Sequence, residues 1–224
     1  MSEKTLLTAK NISKSYKNGD ITVDVLKNID FSAGSGEKIA VLGPSGSGKT
    51  TLLNVLAGID SFDSGEICFG EYDYSAMKPK QLADMRINNF GFVFQSYNLI
   101  STLNAYDNII LPLCARKKMF EQSEIEKIAE RLGINDILGR FPSQLSGGEQ
   151  QRVCIARALA GKPEIIFSDE ATGNLDAKNT KTVMDLFCEC CAADNITLIF
   201  VTHDETLTSY ADRVLRFDEF GGLN

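Results

Sequence analysis

At 224 residues the chain is long enough for one large α/β domain or two small ones, and 43% hydrophobic with 24% charged residues is a globular rather than a disordered balance. Its 23 basic and 30 acidic side chains leave a net charge of −7; that sign repels DNA and RNA phosphates unless basic groups concentrate locally, so no nucleic-acid partner is expected. No run approaches the roughly 18 consecutive apolar residues of a membrane-spanning helix, and MSEKTLLTAK lacks the apolar core of a signal peptide, which predicts a protein made and kept in the cytoplasm.

The first third is predicted to be β-rich. ITVDVLKNIDFSAG carries β-branched and apolar residues, with turn signals at Gly19-Asp20 before it and Gly34-Ser35-Gly36 after it. KIAVLG is apolar almost throughout, the pattern of a strand covered on both faces. It runs into a glycine-rich turn and then TTLLNVLAG, a helical pattern that should stop at Gly58. GFVFQ, ending at Gln95, is a further apolar segment. From about 104 to 162 the chain reads as mainly helical, punctuated by Gly133, Gly139 and Pro142. Past Lys162 the β/α alternation returns, with EIIFSD and TLIFVTH as strands on either side of an amphipathic helix. The expectation is an α/β core interrupted by a helical insertion, a single domain over residues 1–224.

The six cysteines do not read as a disulfide framework. Cys68, Cys114 and Cys154 are scattered, whereas Cys188, Cys190 and Cys191 cluster and invite a metal reading. Packing explains them better. Val183, Leu186, Phe187, Cys190 and Cys191 recur at helical spacing, so two of the clustered thiols fall on a predicted buried stripe, and no complete ligand spacing accompanies them.

Residues 43–50, Gly-Pro-Ser-Gly-Ser-Gly-Lys-Thr, match G-x-x-x-x-G-K-[S/T] in full. Gly43, Gly46 and Gly48 allow backbone conformations that a Cβ would hinder, so successive N–H groups can converge on phosphate oxygens. The following helix turns its positive end to the same anion. Lys49 can reach the β- and γ-phosphates, and the Thr50 hydroxyl can ligate Mg²⁺. A Gly-Ser turn joining strand to helix would be the plain alternative, but the buried-type strand before and the helix after are the context that phosphate binding requires. The predicted nucleotide-binding set here is Gly43, Pro44, Ser45, Gly46, Ser47, Gly48, Lys49, Thr50 and Thr51.

Leu145-Ser146-Gly147-Gly148-Glu149-Gln150-Gln151-Arg152 opens the helical stretch QQRVCIARALA. Alone, Ser-Gly-Gly is an ordinary helix start with Ser146 as N-cap. Yet the segment resembles the ABC ATPase signature L-S-G-G-x, and it precedes an apolar strand that ends in acid, EIIFSDE. That resemblance implies that Asp169 holds Mg²⁺ and that Glu170 orients or deprotonates the attacking water; without it, two acids at a strand end could be a solvated turn. It further matches Gln95 to the glutamine that senses Mg²⁺ and water, Gly173-Asn174-Leu175-Asp176 to a loop crossing a dimer interface, and His203, the chain's one histidine, to the switch residue on the γ-phosphate. Tyr16, in SKSYKNG, resembles the aromatic residue that stacks on adenine.

The resemblance covers essentially the whole chain, with the motifs in family order. FGFVFQSYNLISTLNAYDNIILPL and SDEATGNLD resemble the macrolide-exporter and lipoprotein-releasing type of bacterial ABC ATPase, although Ala171 stands where that group commonly carries proline. It implies a P-loop NTPase core with an antiparallel β subdomain and an inserted helical subdomain, placed at about 104–162. It also implies an ATP- and Mg²⁺-dependent ATPase that forms a homodimer on binding ATP, with Ser146, Gly147, Gly148 and Asp176 contributing to the nucleotide site. The expected work is to power a separate transmembrane permease, which would hold the protein at the inner face of the membrane. An ABC ATPase driving another membrane process, such as regulation of cell division, is the alternative.

Overall fold

The computed structural model describes residues 5–19, 21–116, 119–218 and 222–223; Asp20 of the first predicted turn and residues 1–4 of the N-terminal segment lie outside them. In chain order the elements are β1 (Thr5–Asn18), β2 (Ile21–Gly34), β3 (Lys38–Leu42), α1 (Lys49–Leu56), β4 (Ser64–Phe69), β5 (Tyr72–Asp73), α2 (Pro79–Asn89), β6 (Phe90–Phe94), α3 (Ala105–Ala115), α4 (Gln122–Arg131), α5 (Gly147–Ala160), β7 (Ile165–Asp169), α6 (Ala177–Ala193), β8 (Thr197–Thr202) and β9 (Arg213–Arg216). The chain divides into two compact units, Met1–Arg86 with Thr197–Asn224, and Ile87–Ile196. Among the described residues no helix is long and apolar enough to cross a membrane.

The first unit holds an antiparallel sheet in the order β2-β1-β4-β5. Leu26, Ile29, Phe31 and Ala33 turn one face of β2 inward against Leu7, Ala9 and Ile12 of β1. The register slips between Ala9 and Ile12, and Asn11 takes φ 51° at that bulge, a left-handed conformation asparagine tolerates well. In the same unit β3 lies between β8 and β9, parallel to both, with Leu42 opposite Thr202 and Arg216. Ile39, Ala40, Val41, Leu198, Ile199 and Val201 are all at most 2% exposed, so these strands show no alternation because both faces are covered. Leu52, Leu53 and Leu56 anchor α1 against β8 and β2, each worth about 1.5–3 kcal/mol of burial. The connection from β3 into α1 therefore leaves the sheet at the carboxyl ends of its strands, where α/β folds gather ligands.

In the second unit β6 and β7 are parallel, running from Phe90 opposite Ile165 to Phe94 opposite Asp169. Phe167 packs edge-on to Phe90 at 5.1 Å and stacks on Phe92 at 5.8 Å. Helices α3, α4 and α5 are inserted between these two strands. α5 packs against α3, α4, α6 and β6, with Val153, Cys154, Ile155 and Ala156 wholly buried. On α6 the buried residues are Val183, Met184, Phe187, Cys190 and Cys191; Leu186, expected on that stripe, is only half-buried. All six cysteines are free thiols, and among the described residues no group of three or more His, Cys, Asp or Glu side chains could hold a metal. Cys190 and Cys191 belong to the packed face of α6.

Candidate nucleotide site

At two of its glycines the turn after β3 leaves no room for a side chain. A Cβ on Gly43 would stand 2.6 Å from the Phe217 carbonyl oxygen. Gly48 takes φ +108°, and its Cβ would stand 2.9 Å from Val25 Cγ1. Gly48, the N-cap of α1, offers no side-chain hydrogen bond to the helix start, the end of a helix that attracts anions. Pro44, Ser45 and Gly46 form the exposed rim. Lys49 is only 5% exposed, and its ammonium donates to the carbonyls of Gly43 at 2.8 Å and Pro44 at 2.6 Å. The Ser47 hydroxyl is buried and finds no hydrogen-bond partner among the described residues. A buried hydroxyl left unpaired beside a buried ammonium is costly unless a ligand satisfies it, and phosphate oxygens fit both donors. Thr50 is exposed in the first turn of α1.

Two further predicted residues border this cradle. The Gly43 amide donates to the Thr202 carbonyl at 3.4 Å, which places His203, exposed on the turn after β8, beside the cradle's first residue. That turn is fixed by Asp204, whose amide donates to Thr202 Oγ1 at 3.0 Å. The Asp204 carboxylate caps the turn; hydrogen bonds from Thr206 foremost, and the neighbouring His203, hold it below the ordinary carboxylate range. Tyr16, on β1, is 42% exposed and donates its hydroxyl to Asp60 Oδ2 at 2.5 Å.

The second unit collects the other candidates. Gln95 and Glu170 each follow the last residue of paired strands, so they leave β6 and β7 side by side with Asp169. A Cβ on Gly173 would stand 2.8 Å from Gln95 Nε2, the Gly173 amide closes a turn on the Glu170 carbonyl at 2.9 Å, and Asn174 Nδ2 donates to the Gln95 carbonyl at 2.9 Å. Glu170 itself has φ 44°, left-handed backbone in a residue with no special tolerance for it. Ser146 caps α5 in a full capping box: Glu149 accepts from the Ser146 amide and hydroxyl, both at 2.7 Å. A Cβ on Gly147 would meet the Tyr97 hydroxyl at 2.9 Å, while Gly148 lies against Asn179. Asn179 donates to Asp176 from its amide and side chain, both at 2.8 Å, and these bonds, the backbone one first, keep the Asp176 carboxyl low.

Each unit therefore gathers its own share of the predicted residues: Tyr16, Gly43 to Thr51 and His203 in the first; Gln95, Ser146, Gly147, Gly148, Asp169, Glu170 and Asp176 in the second. Sequence reasoning missed Phe217 and Val25, which wall the cradle, and Lys14 and Asp60, which hold Tyr16. A strand, a glycine cradle with a buried lysine and a helix pointing its uncapped start at the same space define a nucleoside-triphosphate-binding protein of the P-loop class.

Comparison with known proteins narrows that class. A family profile described as ABC transporter matches residues 26–173. An uncharacterized ABC transporter ATP-binding protein of Methanocaldococcus jannaschii is 42% identical over 94% of this chain and 95% of its own length. The lipoprotein-releasing system ATP-binding protein LolD of Legionella pneumophila is 40% identical over 96% of this chain and 95% of its own. Among solved structures, the dimeric post-hydrolysis state of the ATP-binding cassette MJ0796, bound to ADP and Pi, superposes with a TM-score of 0.87 at 35% identity, covering 98% of this chain and 97% of that one. The chain belongs to the ABC transporter family, as its ATP-binding and ATP-hydrolysing component.

Proposed function

We propose that this protein binds Mg-ATP in the Gly43–Thr51 cradle, closes over it as a head-to-tail pair of chains, and uses hydrolysis to drive a separate membrane-spanning permease from the cytoplasmic face of the membrane. The observation that carries this reading is the cradle itself, where buried Lys49 bonds the loop's own carbonyls and buried Ser47 keeps an unspent hydroxyl. LolD's name describes the ATP-binding protein of a lipoprotein-releasing system, and the MJ0796 cassette was solved as a dimer; both favour an engine that works with partners. Six free thiols agree with a reducing compartment.

Phosphoryl transfer to water asks a protein for positioning and charge rather than covalent chemistry. In this reading backbone N–H groups of the glycine-rich turn and the Lys49 ammonium grip the β- and γ-phosphates, and Tyr16 carries the adenine. Glu170 orients the attacking water and takes its proton, His203 hydrogen-bonds the γ-phosphate, and Gln95 positions the water. Ser146, Gly147 and Gly148 at the start of α5 cover the triphosphate of a second copy, with Asp176 alongside. The Thr50 hydroxyl, the Asp169 carboxylate and the Gln95 side-chain carbonyl offer only oxygen donors, the set a hard cation such as Mg²⁺ selects. Bound there, Mg²⁺ would supply neutralisation of charge on the β- and γ-phosphates.

Glu170→Gln tests the assignment. The variant should bind ATP with wild-type affinity, accumulate as an ATP-bound dimer in size-exclusion chromatography, and lose at least about a hundredfold in phosphate release. Wild-type-like steady-state hydrolysis would remove Glu170 from its role.

A further inference from the structure

Lys14 and Tyr16 stand two residues apart on β1, on either side of an irregularity in its pairing with β2 between Lys14 and Ser15. The Lys14 ammonium lies 5.0 Å from the centre of the Tyr16 ring, within cation–π range. Lys14 is only 7% exposed and is tied down by Asp60 Oδ1 at 3.2 Å and Ser61 Oγ at 3.1 Å. The second carboxylate oxygen of Asp60 accepts the Tyr16 hydroxyl at 2.5 Å. Asp60 thus spends one oxygen on each neighbour, and Tyr16 is held at its tip by Asp60 and on one face by Lys14. Asp60 is in turn placed by α1: its amide and that of Ile59 both donate to the Asn54 carbonyl, at 3.2 and 2.8 Å. The helix that starts in the phosphate cradle finishes at the group that anchors the ring.

We propose that Asp60, together with Lys14, is a positioning residue for nucleotide affinity: it fixes Tyr16 as a preformed platform, backed by Lys14, whose other face receives the base of the nucleoside triphosphate. The proposal rests on the nucleotide site given above and adds what makes its base half rigid. An untethered tyrosine at the edge of a strand samples several rotamers, and freezing one on binding opposes affinity. Here the rotamer is set before the ligand arrives.

The test is calorimetric titration of the full chain with Mg-ATP and, separately, with magnesium tripolyphosphate, which has no base. Tyr16→Phe, which keeps the ring and deletes the tether, and Asp60→Ala should each weaken ATP about three- to tenfold. The double variant should be no worse than the weaker single one, since both delete the same bond, and tripolyphosphate affinity should stay within about twofold of wild type in all three. Equal losses for ATP and tripolyphosphate would show a disturbed α1 and overturn the positioning role. If Tyr16→Ala weakens ATP while Tyr16→Phe and Asp60→Ala do not, the ring stacks without its tether: the proposal fails and the nucleotide site stands. If Tyr16→Ala leaves ATP affinity unchanged, the base half of the site itself is wrong and the proposal falls with it.

Discussion

Replacing Gly48 with alanine tests the cradle with the smallest side chain available, and two costs can be separated. Gly48 sits at φ +108°, where an L-residue costs about 1–2 kcal/mol or slightly more, since the left-handed minimum lies near about +57°. The added Cβ would also stand 2.9 Å from Val25 Cγ1, 3.1 Å from the Val25 carbonyl oxygen and 3.3 Å from a Phe217 ring carbon. Valine is stiff at χ1 and its carbonyl is backbone within β2, so neither yields freely; overpacking of this kind costs about 1–3 kcal/mol. The sum, about 2–5 kcal/mol, is a large share of a domain stability on the order of 5–15 kcal/mol. Gly46 is the internal control, with φ +79° and no atom within 4 Å of an added Cβ; alanine there should incur only the conformational cost of about 1–2 kcal/mol. Gly133, at φ +60° with equally open surroundings, is the same control outside the cradle. Urea unfolding should rank Gly48→Ala least stable and the other two alike, while ATP titration should weaken for the two cradle variants and not for Gly133→Ala. Gly48→Ala within about 0.5 kcal/mol of Gly46→Ala would refute the clash. Unchanged ATP affinity in both would refute the cradle.

Two further expectations concern the second unit and the thiols. Hydrogen bonds from the Ser146 side chain and then its amide hold the Glu149 carboxyl below its ordinary 4.5; because the folded value is the lower one, its stabilisation is complete above about 4.5 and is lost as pH falls through the folded value. Glu149→Gln keeps an acceptor but no charge, so the wild type's advantage in urea midpoint at neutral pH should shrink on acidification, and a gap that widened would contradict the capping box. Thiol titration of the native protein should label exposed Cys114 first and half-buried Cys68 and Cys188 more slowly. Cys154, whose thiol burial pushes up to about 12, should react only on unfolding, as should buried Cys190 and Cys191; early labelling of Cys154 would contradict its 3.0 Å bond to the Tyr97 carbonyl.

What could be read from the sequence was whatever is contiguous or periodic. The cradle lies within one short run, so its chemistry was legible before its shape, and the strands β3, β7 and β8 declared themselves as unbroken apolar segments. The walls of the cradle were not legible, because Val25 comes from β2 and Phe217 from just past the end of β9, and neither belongs to a motif. Asp60 was missed for the same reason: its partners on β1 appear only when the sheet is formed. α2 buries only Met85 and β9 alternates between half-buried and exposed, so neither carries a period strong enough to read. The stripe on α6 was drawn slightly off centre. With about 100° per residue, Leu186 lies about 100° from Phe187 while Met184 lies about 60° away, and the core takes Met184.

The backbone points independently at the same residues. Among the described residues seven that are not glycine have positive φ, and four of these are Asn11, Asn28, Asn98 and Asn195, the residue type that accepts this conformation most easily. Lys162 is accounted for by the end of α5, where its amide closes onto the Leu159 carbonyl at 2.8 Å in a left-handed helix termination. Tyr97 and Glu170 remain, at φ 58° and 44°. Both stand within a few residues of the carboxyl ends of the paired strands β6 and β7. Tyr97 is pinned there, its carbonyl accepting from Arg157 at 2.8 Å as well as from Cys154. Glycine at either position would relieve about 1–2 kcal/mol, so packing economy does not explain the side chains that stand there. Residues held in such conformations cluster at functional sites, and Glu170 is one of them. Strain at Glu170, with the others apart from Tyr97 accounted for by residue type or helix ending, agrees with the water-orienting role proposed for it.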